Sequence, residues 1–167
     1  MIKLKLILPI LILLSLGWIA CEQERDPCLE PRTVATQVSI HTARETDTGI
    51  MVVDSALPNA IAKVLDSSYA FLYAAKGVNS FSFVLSPLVD STSIVIIPDS
   101  AKQSKFDMDT VTFFYARRLQ FISTSCGYTY YYSIYDKRYT TYNIDSVLIV
   151  NGEVTNNVNV QHVKIFY

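Results

Sequence analysis

Three cysteines and two histidines are the residues of this 167-residue chain with the richest chemistry, and their surroundings give them different roles. Cys21 closes a segment in which Lys3 and Lys5 supply positive charge, an apolar run extends from Leu6 to Leu14, and Ile19-Ala20 stands directly before the cysteine. These are the three parts of an export signal. An aliphatic residue, two small ones and a cysteine make the bacterial lipobox, in which the cysteine becomes the lipid-modified first residue; Trp18 departs from it where Leu is preferred. A membrane-spanning helix needs about 20 apolar residues, and this run is shorter, contains Pro9 and gives way to Ser15 and Gly17. The expectation is a signal peptide over 1–20 and an acylated (palmitate-type) Cys21 tethering the remainder of the chain to a membrane.

With Cys21 committed to lipid, Cys28 and Cys126 remain. An exported chain meets an oxidising compartment, where such a pair tends to bridge, so a Cys28–Cys126 disulfide is expected. Closing a loop of about 100 residues stabilises by about 4 to 5 kcal/mol as an upper figure in the loop-entropy account. Two lone cysteines without His or Cys at ligand spacing make a poor zinc site, and no metal or cofactor is expected.

His41 and His162 both fall on the polar parity of apolar-alternating runs, which reads as solvent-facing. No Gly-x-Ser-x-Gly elbow, His-Glu-x-x-His, phosphate-cradling glycine loop or Cys-x-x-Cys is present. No catalytic residue is assigned, and a non-catalytic module is expected; a hydrolase diverged beyond its motif is the alternative.

Tyrosine is the most unusual feature. Tyr128, Tyr130, Tyr131, Tyr132, Tyr135, Tyr139 and Tyr142 crowd one region, and strand alternation would place rings on both faces. Cross-strand aromatic pairing explains much of this. An exposed remainder at Tyr131, Tyr135 and Tyr139 is the candidate binding face for a protein or glycan, because tyrosine joins apolar area to a polar tip.

These residues must be positioned by strands. Val34, Thr36, Val38 and Ile40 share one parity, and Phe81, Phe83 and Leu85 alternate with serines until Pro87. Ser93–Ile97, Val111–Tyr115, Leu119–Thr124, Tyr128–Tyr135, Thr140–Val150 and Val158–Tyr167 continue the series. Turns are expected at Cys126-Gly127, Asp136-Lys137, Asn151-Gly152 and Asn156-Asn157, with Asn151-Gly152 the strongest hairpin signal. Only 57–72 has a helical case, from Pro58 and the spacing of Ile61, Val64 and Leu65; a strand over 68–73 competes with it. About eight short strands and at most one short helix predict an all-β chain, an antiparallel β-sandwich, with an immunoglobulin-like Greek key as one arrangement. A small outer-membrane barrel is the alternative, suggested by Val163, Ile165 and Tyr167 alternating to the end.

The organisation expected is a signal peptide over 1–20, a lipidated acidic leader over 21–32 carrying Glu22, Glu24 and Asp26, and one domain over 33–167. Without Lys3 and Lys5 the 14 basic residues become 12 against 15 acidic ones, a net charge of −3. No basic stripe suited to nucleic acid is visible.

The chain resembles an uncharacterised family of Bacteroidota lipoproteins, a domain of unknown function. The carriers are Cys28 close behind Cys21, Leu85-Ser86-Pro87-Leu88 before Asp90, Leu119-Gln120-Phe121-Ile122-Ser123 leading to Cys126-Gly127-Tyr128, Ile144-Asp145-Ser146, and the close from His162 to Tyr167. The resemblance implies an outer-membrane or cell-envelope location and no established activity. The acidic leader is similar to the surface-export signal of such proteins, and a charged spacer is the plainer account, which leaves the facing direction open. Asp54-Ser55, Asp90-Ser91, Asp99-Ser100, Asp109-Thr110 and Asp145-Ser146 resemble the O-glycosylation motif of exported Bacteroidota proteins, making Ser55, Ser91, Ser100 and Thr110 candidate acceptors. Asp-Ser and Asp-Thr are also ordinary turn pairs.

Overall fold

The computed structural model describes residues 27–65, 72–101 and 107–167; the expected signal peptide over 1–20 and Cys21 lie outside them. Eleven strands are found among the described residues. They are β1 (Thr36–Thr46), β2 (Gly49–Asp54), β3 (Leu57–Val64), β4 (Leu72–Val78), β5 (Ser80–Phe83), β6 (Ser91–Ile97), β7 (Asp109–Ser123), β8 (Gly127–Tyr139), β9 (Ser146–Ile149), β10 (Glu153–Val154) and β11 (Val163–Phe166). One sheet has the order β2-β1-β11-β9, with β5 beside the first half of β1. The other has the order β10-β8-β7-β6-β3-β4. The two sheets pack together as a β-sandwich, the expected class, and not as a closed barrel.

Alternation builds the core. Val38, Ile40, Phe83 and Ile165 of the first sheet and Ile94, Ile96, Val111, Phe113 and Tyr115 of the second are buried on the faces that meet. The rings of Phe83 and Phe113 bridge the sheets with centroids 5.6 Å apart. Truncating such a side chain to Ala costs about 3 to 5 kcal/mol.

Several local expectations are corrected. Residues 57–64 form a strand, not a helix: Leu57, Ala60, Ala62 and Val64 are buried in alternation because β4 and β6 flank β3 and offer it a ladder on both sides. Residues 140–150 are not one strand, since only Ser146–Ile149 pairs. Asp136-Lys137 is no turn but lies inside β8, beside a bulge. There the pairing passes from Phe114–Asp136 to Tyr115–Ile134, leaving Tyr135 as the extra residue.

Asn151-Gly152 is not a hairpin either, because β9 belongs to one sheet and β10 to the other. The glycine serves a close approach: Ile134 donates its amide to the Gly152 carbonyl at 2.8 Å, and a Cβ at Gly152 would overlap the Ile134 carbonyl oxygen. The Cys126-Gly127 turn does form, joining β7 to β8 with Gly127 at φ 73°. Finally, β1 and β11 run parallel, so the sandwich is mostly but not wholly antiparallel.

Candidate functional site

The β7–β8 hairpin has the two longest strands among the described residues, and only part of it lies in the core. Val111, Phe113 and Tyr115 are buried, and the same parity continues outward through Arg117, Leu119 and Phe121, which stand opposite Tyr132, Tyr130 and Tyr128. Beyond Tyr115 and Tyr132 the cover ends: Leu119 is 58% exposed, Phe121 47%, Tyr128 61% and Tyr130 39%. Phe121 and Tyr128 meet edge to face at 5.2 Å. The core face thus runs out into solvent as a contiguous apolar and aromatic surface, a feature monomeric domains seldom leave bare without use.

Two buried tyrosines brace the root of this overhang. Tyr132 donates its hydroxyl to the Leu85 carbonyl at 3.1 Å and Tyr115 to that of Ser86 at 3.0 Å, tying residues 84–90 to the hairpin. Their rings meet edge to face at 5.4 Å. Burial pushes the Tyr132 hydroxyl up to about 12, with Tyr115 adding to the effect, so both remain neutral donors. Arg117 is held by Asp90 at 2.6 Å.

The tip is fastened to the leader. Cys28 and Cys126 form the expected disulfide, with Cα atoms 4.8 Å apart, and Thr129 donates its hydroxyl to the Arg32 carbonyl at 3.1 Å. The leader therefore runs along the hairpin from tip to root before Val34 enters the core. From there β1 carries the chain onward, and past His41 it leaves the core in a second projecting ribbon with β2. On that ribbon Ile50 is 77% exposed, Met51 52% and Val52 50%, and the outer edge of β2 has no strand partner among the described residues.

The histidines are not solvent-facing, which corrects the expectation drawn from their parity. His41 is buried because Phe166 of the neighbouring strand lies against its ring at 5.6 Å. His162 stands just before β11, where strand alternation no longer governs it, and its Nδ1 accepts the Gln37 amide at 3.0 Å. Burial holds the pKa of His162 below the usual value, with the Glu153 backbone offsetting part of the shift.

The fold also assembles a serine, a histidine and a carboxylate that the sequence did not link. Ser39 Oγ lies 2.6 Å from His41 Nε2, and Asp54 Oδ1 lies 3.1 Å from Nδ1. Gln161 donates its amide to Ser39 Oγ. The connectivity is that of a nucleophilic triad, but its quality is not. The Asp54 side chain is 82% exposed, and Nδ1 lacks the alignment for a hydrogen bond to it. Ser39 sits mid-strand between β5 and β11, whose ladders occupy the neighbouring backbone amides that an oxyanion would require. The cluster reads as a polar seam on the outer face of the first sheet.

Tyr131, Tyr135 and Tyr139 are not brought onto one face. Tyr131 is half-buried, donates to Asn156 Oδ1 at 2.7 Å and lies under the Arg118 guanidinium. Tyr139 packs against the core, and the bulged Tyr135 alone is exposed, at 66%. The rings that sequence reasoning passed over, Tyr128 and Tyr130, are the ones presented together. Ser55, Ser91, Ser100 and Thr110 are all partly exposed. Of their preceding aspartates, Asp90 pairs with Arg117, Asp99 accepts from Asn59 and the Ala101 amide, and Asp109 is buried.

Among the described residues no group of three or more His, Cys, Asp and Glu is placed to hold a metal ion. Between Ala116, Arg118, Ser133 and Glu153 lies a dent of about 140 Å³. Small-molecule sites usually enclose about 300 Å³ or more.

No curated protein and no solved structure matches the chain. A family model matches residues 60–167, from within β3 through β11, taking in both strands of the projecting hairpin but not Cys28, Ser39, His41 or Asp54; the chain belongs to a family of unknown function, DUF6452.

Proposed function

We propose that this protein is a lipid-anchored, non-catalytic module of the cell envelope, held at the outer membrane through Cys21, that binds a partner protein by accepting one of its strands at the edge of β2. The observation that carries the reading is the β1–β2 ribbon. It projects beyond the core, its outer edge has no strand partner among the described residues and so offers backbone donors and acceptors, and Ile50, Met51 and Val52 are exposed on it. Such an edge is a template for strand addition, in which main-chain hydrogen bonds give affinity and alternate side chains give selectivity. Aliphatic side chains also favour a peptide over a glycan, because they offer no ring face for a sugar to stack on.

Photo-crosslinking tests this in the native envelope. A crosslinker at Met51 is expected to capture a protein, and Val52→Pro, which bars a ladder hydrogen bond, is expected to abolish the capture. Capture at Tyr135 in place of Met51, or of glycan in place of protein, would overturn the assignment.

A further inference from the structure

We infer that the exposed face of the β7–β8 hairpin, made by Leu119, Phe121, Tyr128 and Tyr130, rests on the interfacial zone of the bilayer to which the chain is tethered. This rests on the lipidation of Cys21 proposed above. Its occupant is argued from chain length: Cys28 follows Cys21 by seven positions, and the disulfide fixes Cys28 to the hairpin tip. Seven extended steps along the chain reach about 25 Å at most. The tip therefore cannot stray from the membrane, whereas β1 leads the β1–β2 ribbon away from it.

The chemistry of the face suits that position. Phenol and phenyl rings beside an aliphatic side chain match the boundary between headgroups and acyl chains, where an apolar body and a polar tip are both satisfied. Arg117, the cation on this face, is paired with Asp90 at 2.6 Å, and Arg118 lies on the opposite face over Tyr131. The contact is thus apolar in origin and insensitive to salt. It need not be strong either, because a tether raises the effective concentration of the tip at the surface to the millimolar range. The face would hold the domain in one orientation and keep the β2 edge turned outward to its partner.

The only tryptophan, Trp18, lies in the segment removed on export, so an introduced indole reports alone. The lipidated protein carrying Tyr128→Trp or Met51→Trp is reconstituted into phosphatidylethanolamine and phosphatidylglycerol vesicles with brominated acyl chains, its lipid verified by intact mass. The indole at position 128 is expected to lose about half its emission or more to bromine and to shift to the blue, as a ring seated about 5 to 10 Å into the interface would, while the one at position 51 does neither. Added salt leaves this unchanged, and the Cys28→Ser, Cys126→Ser variant weakens it. Lipidated protein with an unquenched indole at 128, or equal quenching at 51, overturns the inference alone. A mass without lipid on Cys21 overturns the anchoring reading and the inference with it.

Discussion

Ile144 donates its backbone amide to the carboxylate of Asp109 at 3.1 Å, and both residues are buried. The amides of Tyr142 and Asn143 and the Thr140 hydroxyl converge on the same group at 2.9, 2.8 and 2.6 Å. One carboxylate at the start of β7 thus shapes the whole segment between β8 and β9. Asp109→Ala leaves these donors without an acceptor and is expected to cost about 3 kcal/mol or more in urea unfolding, with Asp109→Asn losing less because one carbonyl oxygen remains. A loss below about 1 kcal/mol would mean that the segment closes by other means.

Acid should weaken the fold through His162. Its folded pKa lies below that of the unfolded chain, so the unfolded state takes up the proton first. The stability it confers is complete above the unfolded value of about 6.5 and is lost as pH falls below it, by at most about 1.4 kcal/mol per pH unit. Melting curves from pH 7.5 to 5 should fall in wild type and fall less in His162→Asn, whose side-chain oxygen can still accept the Gln37 amide.

Reduction should loosen the leader before the core. The bridge spans 98 positions, and removing it with Cys28→Ser and Cys126→Ser is expected to cost about 2 to 4 kcal/mol. Hydrogen exchange should show residues 28–33 opening first, since Thr129 to Arg32 is then their remaining tie to the hairpin that the structure shows. Unchanged protection there would contradict the fastening role of the disulfide.

Gly152→Ala should act far more severely than an exposed loop substitution. The added Cβ overlaps the Ile134 carbonyl oxygen, a backbone atom that cannot turn aside, so β10 must leave β8. We expect about 2 kcal/mol or more of destabilisation, against about 1 kcal/mol for Gly127→Ala, where the left-handed backbone is the sole obstacle.

Ser39 should not behave as an activated nucleophile. A fluorophosphonate probe is expected to leave it unlabelled in the folded protein, because Asp54 is exposed and poorly aligned with His41. Stoichiometric labelling that disappears in His41→Ala would revive the hydrolase.

What the sequence disclosed was local. Alternation along Val34–Ile40 and Phe81–Leu85 named the inner face, because side-chain direction in a strand depends only on parity. The disulfide was legible by elimination, once the expectation of a lipidated Cys21 had left two cysteines. Helix against strand at 57–64 could not be settled locally, because the ladders that decide it come from β4 and β6. Gly152 was misread for a similar reason: its demand comes from Ile134, which nothing in the neighbouring sequence announces. The exposure of Tyr128 and Tyr130 depends on where the opposite sheet stops, and the bulge at Tyr135 resets the parity that had grouped Tyr131, Tyr135 and Tyr139. The nearness of Ser39, His41 and Asp54 required the β1–β2 register.

The parallel pairing of β1 with β11 sets a timetable for the growing chain. Gln37 meets His162 across 125 positions, so the first strand of the described residues stays unsatisfied on that edge until the last of them has been made. Contacts this distant in sequence are slow to form. An emerging polypeptide therefore cannot close this sheet early, and it commits to its native shape only once β11 can reach back to β1.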